Sequence, residues 1–287
     1  ANNPDLRAIS DSVRAAKQRP AQVSALADPV LGVSYTNEGW SPSLGTMPDT
    51  NLAVVLSQDL PFPGKRGLRG RIASLEADQV EQQQARARLS IEASVRRAYF
   101  GILQSSALLD LTWEQAEVWR QIEGVARARY GVGQGNQQDV LRVQVELTRV
   151  GQGLAEQEAE RSIRLAEINR LLGRPAEAPL VPSAALQAVP EPASLPQELD
   201  RLSPLSPERS AALIGIDRAR AAVELARKEY HPDFNVQGGY MNRGGLDPMW
   251  QAGVSVNLPL NRKLPASGVA EAGALLSGGA SRLAARG

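Results

Sequence analysis

The sequence predicts a mainly α-helical fold that also carries two β-hairpins, with the helix–hairpin unit written twice. Three observations predict it. Residues 66–130 hold no proline and few glycines, and their apolar residues recur at steps of three and four, as at Ile91, Val95, Tyr99 and Ile102. Four shorter segments alternate apolar with small or polar residues at the period of a strand. The stretch NLAVVLSQDLPFPGKRGLR, Asn51–Arg69, returns as WQAGVSVNLPLNRK, Trp250–Lys263, with the same alternation, the same Leu-Pro step and the same basic close.

In chain order, an opening helix is expected over Pro4–Arg19, stopped by Pro20. PVLGVSYTN at 29–37 places Leu31, Val33 and Tyr35 on one face and Gly32, Ser34 and Thr36 on the other. After a turn-rich stretch, Leu52, Val54 and Leu56 share a face opposite Asn51, Ala53, Ser57 and Asp59, with Val55 the exception. These strands form the hairpin 29–60. A long helical hairpin over 66–172 follows, its first helix a rod of roughly 100 Å at 1.5 Å per residue. Glycines at 131, 133 and 135 break that rod, and Asn136 is placed to cap the second helix with Asp139 in its first turn. Val140, Val143, Leu147, Val150 and Leu154 give this second helix a coiled-coil seam, ended at LLGRP.

Residues 174–207, rich in Pro and Ala, read as an irregular connector. The second copy, 208–287, holds a helix opened by SPERS, a hairpin over 233–260, and the start of a further helix. In the hairpin Phe234, Val236 and Tyr240 oppose Asn235, Gln237 and Gly239. Trp250, Ala252, Val254, Val256 and Leu258 oppose Gln251, Gly253, Ser255 and Asn257. The copies match at Asp28 and Asp233, Tyr35 and Tyr240, Asn37 and Asn242, Ser57 and Ser255, and in the helical DSVRAA and DRARAA. The first repeat is thus 1–173. The second is expected to be incomplete, because RKLPASGVAEAGALLSGGASRLAARG, with glycines at 268, 273, 278 and 279, stands where a strong helix belongs and reads as a degraded continuation.

Composition narrows the function classes. With 32 Lys and Arg against 31 Asp and Glu, net charge +1 gives no electrostatic footprint for nucleic acid. Cysteine is absent, and the one histidine, His231 in EYHPD, reads as a helix-to-strand junction residue. No paired acid and base, phosphate loop or metal cluster stands out, so neither an enzyme nor a cofactor is expected. No apolar run is long enough for a transmembrane helix. ANNPDLRAIS lacks the basic start and apolar core of a signal peptide, so the expectation is a mature or truncated chain, or a cytosolic one.

The strand faces fit two architectures: a sheet half-buried in a soluble core, or a barrel in lipid with its apolar side outward. Tyr35, Trp40, Tyr240 and Trp250 at or near hairpin ends are where membrane-interface aromatics belong. Four strands cannot close a barrel with a lumen, so several chains would have to share one. The basic residues Lys65, Arg66, Arg69, Arg71, Arg262 and Lys263 suit either anionic headgroups or a solvated charge cluster.

RYGVGQGNQQDVLRVQVEL, Arg129–Leu147, and AEINRLLG, Ala166–Gly173, resemble the hairpin-tip and helix-ending signatures of the TolC-like outer-membrane efflux channels. QDLPFPGKRGLR, Gln58–Arg69, is similar to the heavy-metal branch of that family, which serves copper/silver and cobalt–zinc–cadmium pumps. The resemblance implies a homotrimer in the outer membrane of a Gram-negative bacterium. Its strands would share one transmembrane β-barrel, and its helices would form a periplasmic α-barrel tunnel docked to a periplasmic adaptor and a proton-driven inner-membrane pump. It also implies a tip formed by Tyr130, Gly133 and Asn136, with Asp139 and Gln138 as gate candidates. A helix N-terminal carboxylate is an equally good role for Asp139. The family's second long hairpin and the lipid-bearing cysteine of many members do not appear. The rival expectation is a periplasmic adaptor or scaffold with a helical hairpin and no pore.

Overall fold

The computed structural model describes residues 3–180 and 194–284; residues 181–193 of the expected connector lie outside the described residues. In order come α1 (Pro4–Ala16), α2 (Arg19–Ser24), β1 (Val30–Thr36), β2 (Asn51–Leu60), α3 (Lys65–Gly131) and α4 (Gln137–Leu172). Then follow α5 (Leu195–Leu202), a short 3-10 turn, α6 (Pro207–Lys228), β3 (Asp233–Arg243), β4 (Leu246–Asn257) and α7 (Lys263–Ala284). The chain divides into two compact units, one of residues 1–10 and 84–200, the other of residues 11–83 and 201–287.

In the first unit the helical hairpin packs where its apolar stripes meet. Ala98 and Ile102 of α3 and Ile168 and Leu171 of α4 form a buried cluster, with Val95, Tyr99, Leu172 and Leu180 against it. The α4 seam buries Val143 and Val150 and half-buries Val140, Leu147 and Leu154. Asn169, fully buried, donates from Nδ2 to the carbonyls of Ala176 and Ala178, each at 2.8 Å, and so folds the chain back after the helix. Asn3 caps α1 and donates to the Leu171 carbonyl at 2.8 Å.

The second unit is built from small residues. Ala73 and Ala77 of α3, Ile216 and Ala221 of α6 and Ala272 of α7 are buried, which lets the helices approach closely. Glu76 receives both Arg19, at 3.3 Å, and Arg218, at 3.6 Å. The duplication is visible in side chains as well as sequence: α1 holds the ion pair Arg14–Asp11, and α6 holds its counterpart Arg220–Asp217.

Three elements differ from the sequence reading. The opening helix ends at Ala16, and Pro20 lies in the first turn of α2 instead of acting as a stop. A proline is tolerated there because a first-turn N–H has no helical partner in any case. Within the connector Leu195–Leu202 is helical, with Pro196 in its first turn, Glu198 near its N-terminus and Arg201 near its C-terminus, each charge complementing the helix dipole. Strand β4 begins at Leu246 and runs through Pro248, which falls at the register shift opposite Met241–Arg243, where a residue without an N–H is tolerated. The further helix expected after the second hairpin is α7, and it runs through the glycine-rich tail. Each interior glycine costs about 1 kcal/mol relative to alanine, but Pro265 and Ala272 are buried and Gly279 sits beside Ile216, so packing on α6 outweighs the poor propensity.

Candidate functional site

The four strands form one antiparallel sheet in the order β1-β2-β3-β4. Its register carries the alternation of each strand into a property of the whole. Val33 lies opposite Val54, Val54 opposite Tyr240, and Tyr240 opposite Trp250. Adjacent rows run Leu31, Leu56, Gly238, Ala252 and then Gln58, Val236, Val254. On the other face the rows are Ser34, Ala53, Met241, Met249 and Gly32, Val55, Gly239, Gln251 and Val30, Ser57, Gln237, Gly253. One face is therefore mainly apolar across all four strands, and the other, uncharged until its ends, mixes glycine, serine and glutamine with Val30, Val55, Met241 and Met249.

The half-buried soluble sheet is not what the strands form. Leu31, Val33, Val254 and Trp250 are 65, 66, 68 and 79% exposed, and a core strand would hide such residues. At about 3.4 Å per residue β2 is about 34 Å long; tilted as barrel strands are, it spans about 25 Å, the height of an outer-membrane apolar band.

On the polar face large side chains lie over glycines. Gln251 rests against Gly239, Gln237 against Gly253, and the exceptional Val55 against Gly239, where a Cβ would stand 3.0 Å from its Cγ2. The aromatics collect near one end of the apolar face. Tyr240 and Trp250 are cross-strand neighbours, and Tyr35 belongs to the next row. The Tyr35 hydroxyl donates to the Ser43 carbonyl at 2.6 Å and receives the Ser43 N–H at 3.0 Å, which folds the β1–β2 loop onto the strand. Trp40 stands fully exposed in that loop. Gly45 and the Gly244–Gly245 turn touch backbone to backbone, and a Cβ on Gly45 would sit 2.4 Å from the Gly245 nitrogen.

At the opposite end the strands pass into helices through a junction that sequence reasoning missed. Lys65, first residue of α3, is 1% exposed. Its Nζ donates to Asp233 at 3.0 Å, to Glu229 at 3.1 Å and to the His231 carbonyl at 3.1 Å. Asp233 also accepts the Phe62 N–H at 2.7 Å, and the Phe62 ring stacks on His231 at 4.4 Å. A lysine at a helix N-terminus opposes the dipole and, buried, needs compensation; two carboxylates and a carbonyl supply it. Lys65 is thus neither a headgroup ligand nor a solvated cation. The available signal was the acidic pair bracketing His231 in EYHPD, at the start of the strand that pairs with β2.

The tip of the helical hairpin lies in the other unit. Gly133 has φ +75° and, with Gln134, closes α3 by bonds to the carbonyls of Tyr130 (3.0 Å) and Arg129 (2.8 Å), a two-bond helix stop that needs a left-handed residue. Asn136 Oδ1 accepts the Asp139 N–H at 2.9 Å and so starts α4. Tyr130, Gln138 and Asp139 are all exposed. Beside the tip Trp119, Gln138, Leu141, Arg142, Val145 and Glu146 line an open groove of about 640 Å³. Farther along α4, Glu160 and then Glu167 hold the Arg164 guanidinium above its ordinary pKa.

Among the described residues no helix is long and apolar enough to cross a membrane, and no group of three or more His, Cys, Asp or Glu could hold a metal ion. The sheet is the element whose outer face suits lipid.

A long helical hairpin joined to a two-faced, uncovered sheet is the fold of outer-membrane channel protomers. It is shared with VceC from Vibrio cholerae (TM-score 0.78, 18% identity, 99% of this chain and 72% of that one). It is shared also with the open state of the MtrE outer membrane channel of Neisseria gonorrhoeae (TM-score 0.77, 17% identity, 98% of this chain and 66% of that one). The chain belongs to the outer membrane efflux protein family, whose pattern matches residues 1–174. It is 26% identical over 188 residues to the fusaric acid resistance protein FusA of Burkholderia cepacia, covering 61% of this chain and 35% of that protein. The chain thus spans about a third of that curated relative's length. The comparisons give the adaptor reading no support.

Proposed function

We propose that this chain is a channel subunit of a tripartite efflux system in the outer membrane of a Gram-negative bacterium. Three copies pool their sheets into one barrel and their helices into a periplasmic tunnel. An adaptor and a proton-driven inner-membrane pump deliver the solute, and the duct itself performs no chemistry. The observation that carries this reading is the sheet, greasy on one side, wet on the other and open at both edges. In hydrocarbon every backbone amide must be bonded, and only closure by further strands does that for an edge.

Two cargo classes have support. The likeness of Gln58–Arg69 to the heavy-metal branch favours metal cations, and the kinship with a fusaric acid resistance protein favours an aromatic acid. Growth of a strain relying on this channel in copper, cadmium and fusaric acid separates them: sensitivity on deletion identifies the cargo.

At the tip, Gln138 and Asp139 are assigned to the gate, with Tyr130, Gly133 and Asn136 shaping the turn that presents them. Tyr35, Trp40, Tyr240 and Trp250 are assigned to the interface girdle. The test is recovery in outer-membrane detergent extracts and conductance in planar bilayers, where Asp139→Ala is expected to raise the passive current several-fold. A chain fully soluble after lysis overturns the channel; an unchanged current removes Asp139 from the gate.

A further inference from the structure

Every sulfur atom of the chain lies at one end of the sheet. The 287 residues include three methionines and no cysteine. Met241 of β3 and Met249 of β4 are directly opposed in the ladder, which brings their Cβ atoms to about 5 Å. The third, Met47, precedes Pro48, whose carbonyl accepts the Nε (3.0 Å) and Nη2 (2.7 Å) hydrogens of Arg243, two residues beyond Met241. The Met47 carbonyl also accepts the Thr50 N–H at 3.3 Å, closing the turn that enters β2. Met47 and Met249 are 46 and 49% exposed, and Met241 is half-buried.

The face they occupy decides what they can do. Tyr240 and Trp250, the paired neighbours of Met241 and Met249 along the ladder, take the apolar face. Alternation sends the two methionines to the other face, in the row Ser34, Ala53, Met241, Met249. On the apolar face a methionine pair would serve as hydrocarbon alone. Here two thioethers stand side by side where the proposed duct carries water, at the end away from the helices.

Resting on the channel reading above, we infer that Met241 and Met249, joined by Met47, form a thioether site for a soft monovalent cation, Cu(I) or Ag(I), at the outer mouth of the duct. Thioether sulfur is a neutral, polarizable donor that suits Cu(I). Zinc draws instead on thiolate, imidazole and carboxylate, and the chain's one imidazole, His231, is stacked on Phe62 at the opposite end of the sheet. Neutral donors attract the ion without an opposing charge to retain it, and a duct needs sites that fill and empty readily. Of the two cargo classes, such a site belongs with the metal cations, and among them with the soft monovalent ones.

Ag(I) is the probe, because it holds one oxidation state in air. Titrated in chloride-free buffer, the detergent-solubilised full chain should bind a single Ag(I) per copy, and X-ray absorption should show a shell made of sulfur. Met241→Leu and Met249→Leu, which nearly conserve volume, should each weaken binding at least about tenfold. Met47→Leu should weaken it about threefold and remove one sulfur from the shell. Excess Zn(II) should not displace the silver. Undiminished Ag(I) binding when Met241 and Met249 are both leucine overturns the site and leaves the pair as packing. An unchanged sulfur shell in Met47→Leu overturns the third donor, and displacement by Zn(II) overturns the ligand class. Planar-bilayer conductance, which the leucine variants should retain, tells the failures apart. A conducting channel that binds no Ag(I) refutes only this site, whereas a chain that never enters a bilayer refutes the channel as well.

Discussion

The inner seam of the sheet, where β2 meets β3, and its outer edges, β1 and β4, are built from matching sequence and have opposite fates. At the seam Lys65 is buried among Asp233, Glu229 and the His231 carbonyl. At the edges the equivalent Lys263 and Asp28 face solvent. Gly239 of β3 lies under Val55 and Gln251, whereas Gly32 of β1 has only a carbonyl at 3.8 Å from a would-be Cβ. The same residue types therefore carry energy where the chain supplies their partners and little where it does not.

The largest expected effect tests that statement directly. Asp233→Ala strips a buried ammonium of a counter-ion and the Phe62 N–H of its acceptor. It should destabilise the detergent-solubilised chain by about 3 kcal/mol, read as a fall in the midpoint of helical melting by circular dichroism. Asp28→Ala should move the same midpoint by less than about 0.5 kcal/mol. Equal losses would erase the distinction between seam and edge.

Next comes the contrast between faces on one edge strand. Val254→Arg should cost about 2–4 kcal/mol in folding into vesicles, and Ser255→Arg, one residue on, about 0–1 kcal/mol, because only the first places charge in hydrocarbon. The smallest effect concerns the glycines. Gly239→Ala forces Val55 or Gln251 to shift and should cost about 1–2 kcal/mol, while Gly32→Ala should be neutral within about 0.5 kcal/mol in the same melting assay.

Much of this was legible in the sequence. Alternation in Leu31–Tyr35, Leu52–Leu56, Phe234–Tyr240 and Trp250–Leu258 is a local signal, and pairing aligns those strands without altering it. The helix stop at Gly133 and the cap at Asn136 were equally plain, because each rests on one residue's chemistry. Three features were hidden because distant packing decides them. Lys65 reads as a surface cation until the chain from Glu229 to Asp233 is laid beside it. α7 reads as poor helix until α6 shelters it. α5, inside a proline-rich stretch, owes its helix to Pro196 falling in the first turn.

The open edges carry one more consequence. A solitary copy has amides along the outer sides of β1 and β4 that bind water readily and find no substitute for it among acyl chains. In the channel proposed above, joining other copies and crossing into the bilayer are therefore a single step rather than two, and a subunit of that channel waits for its fellows in an aqueous phase.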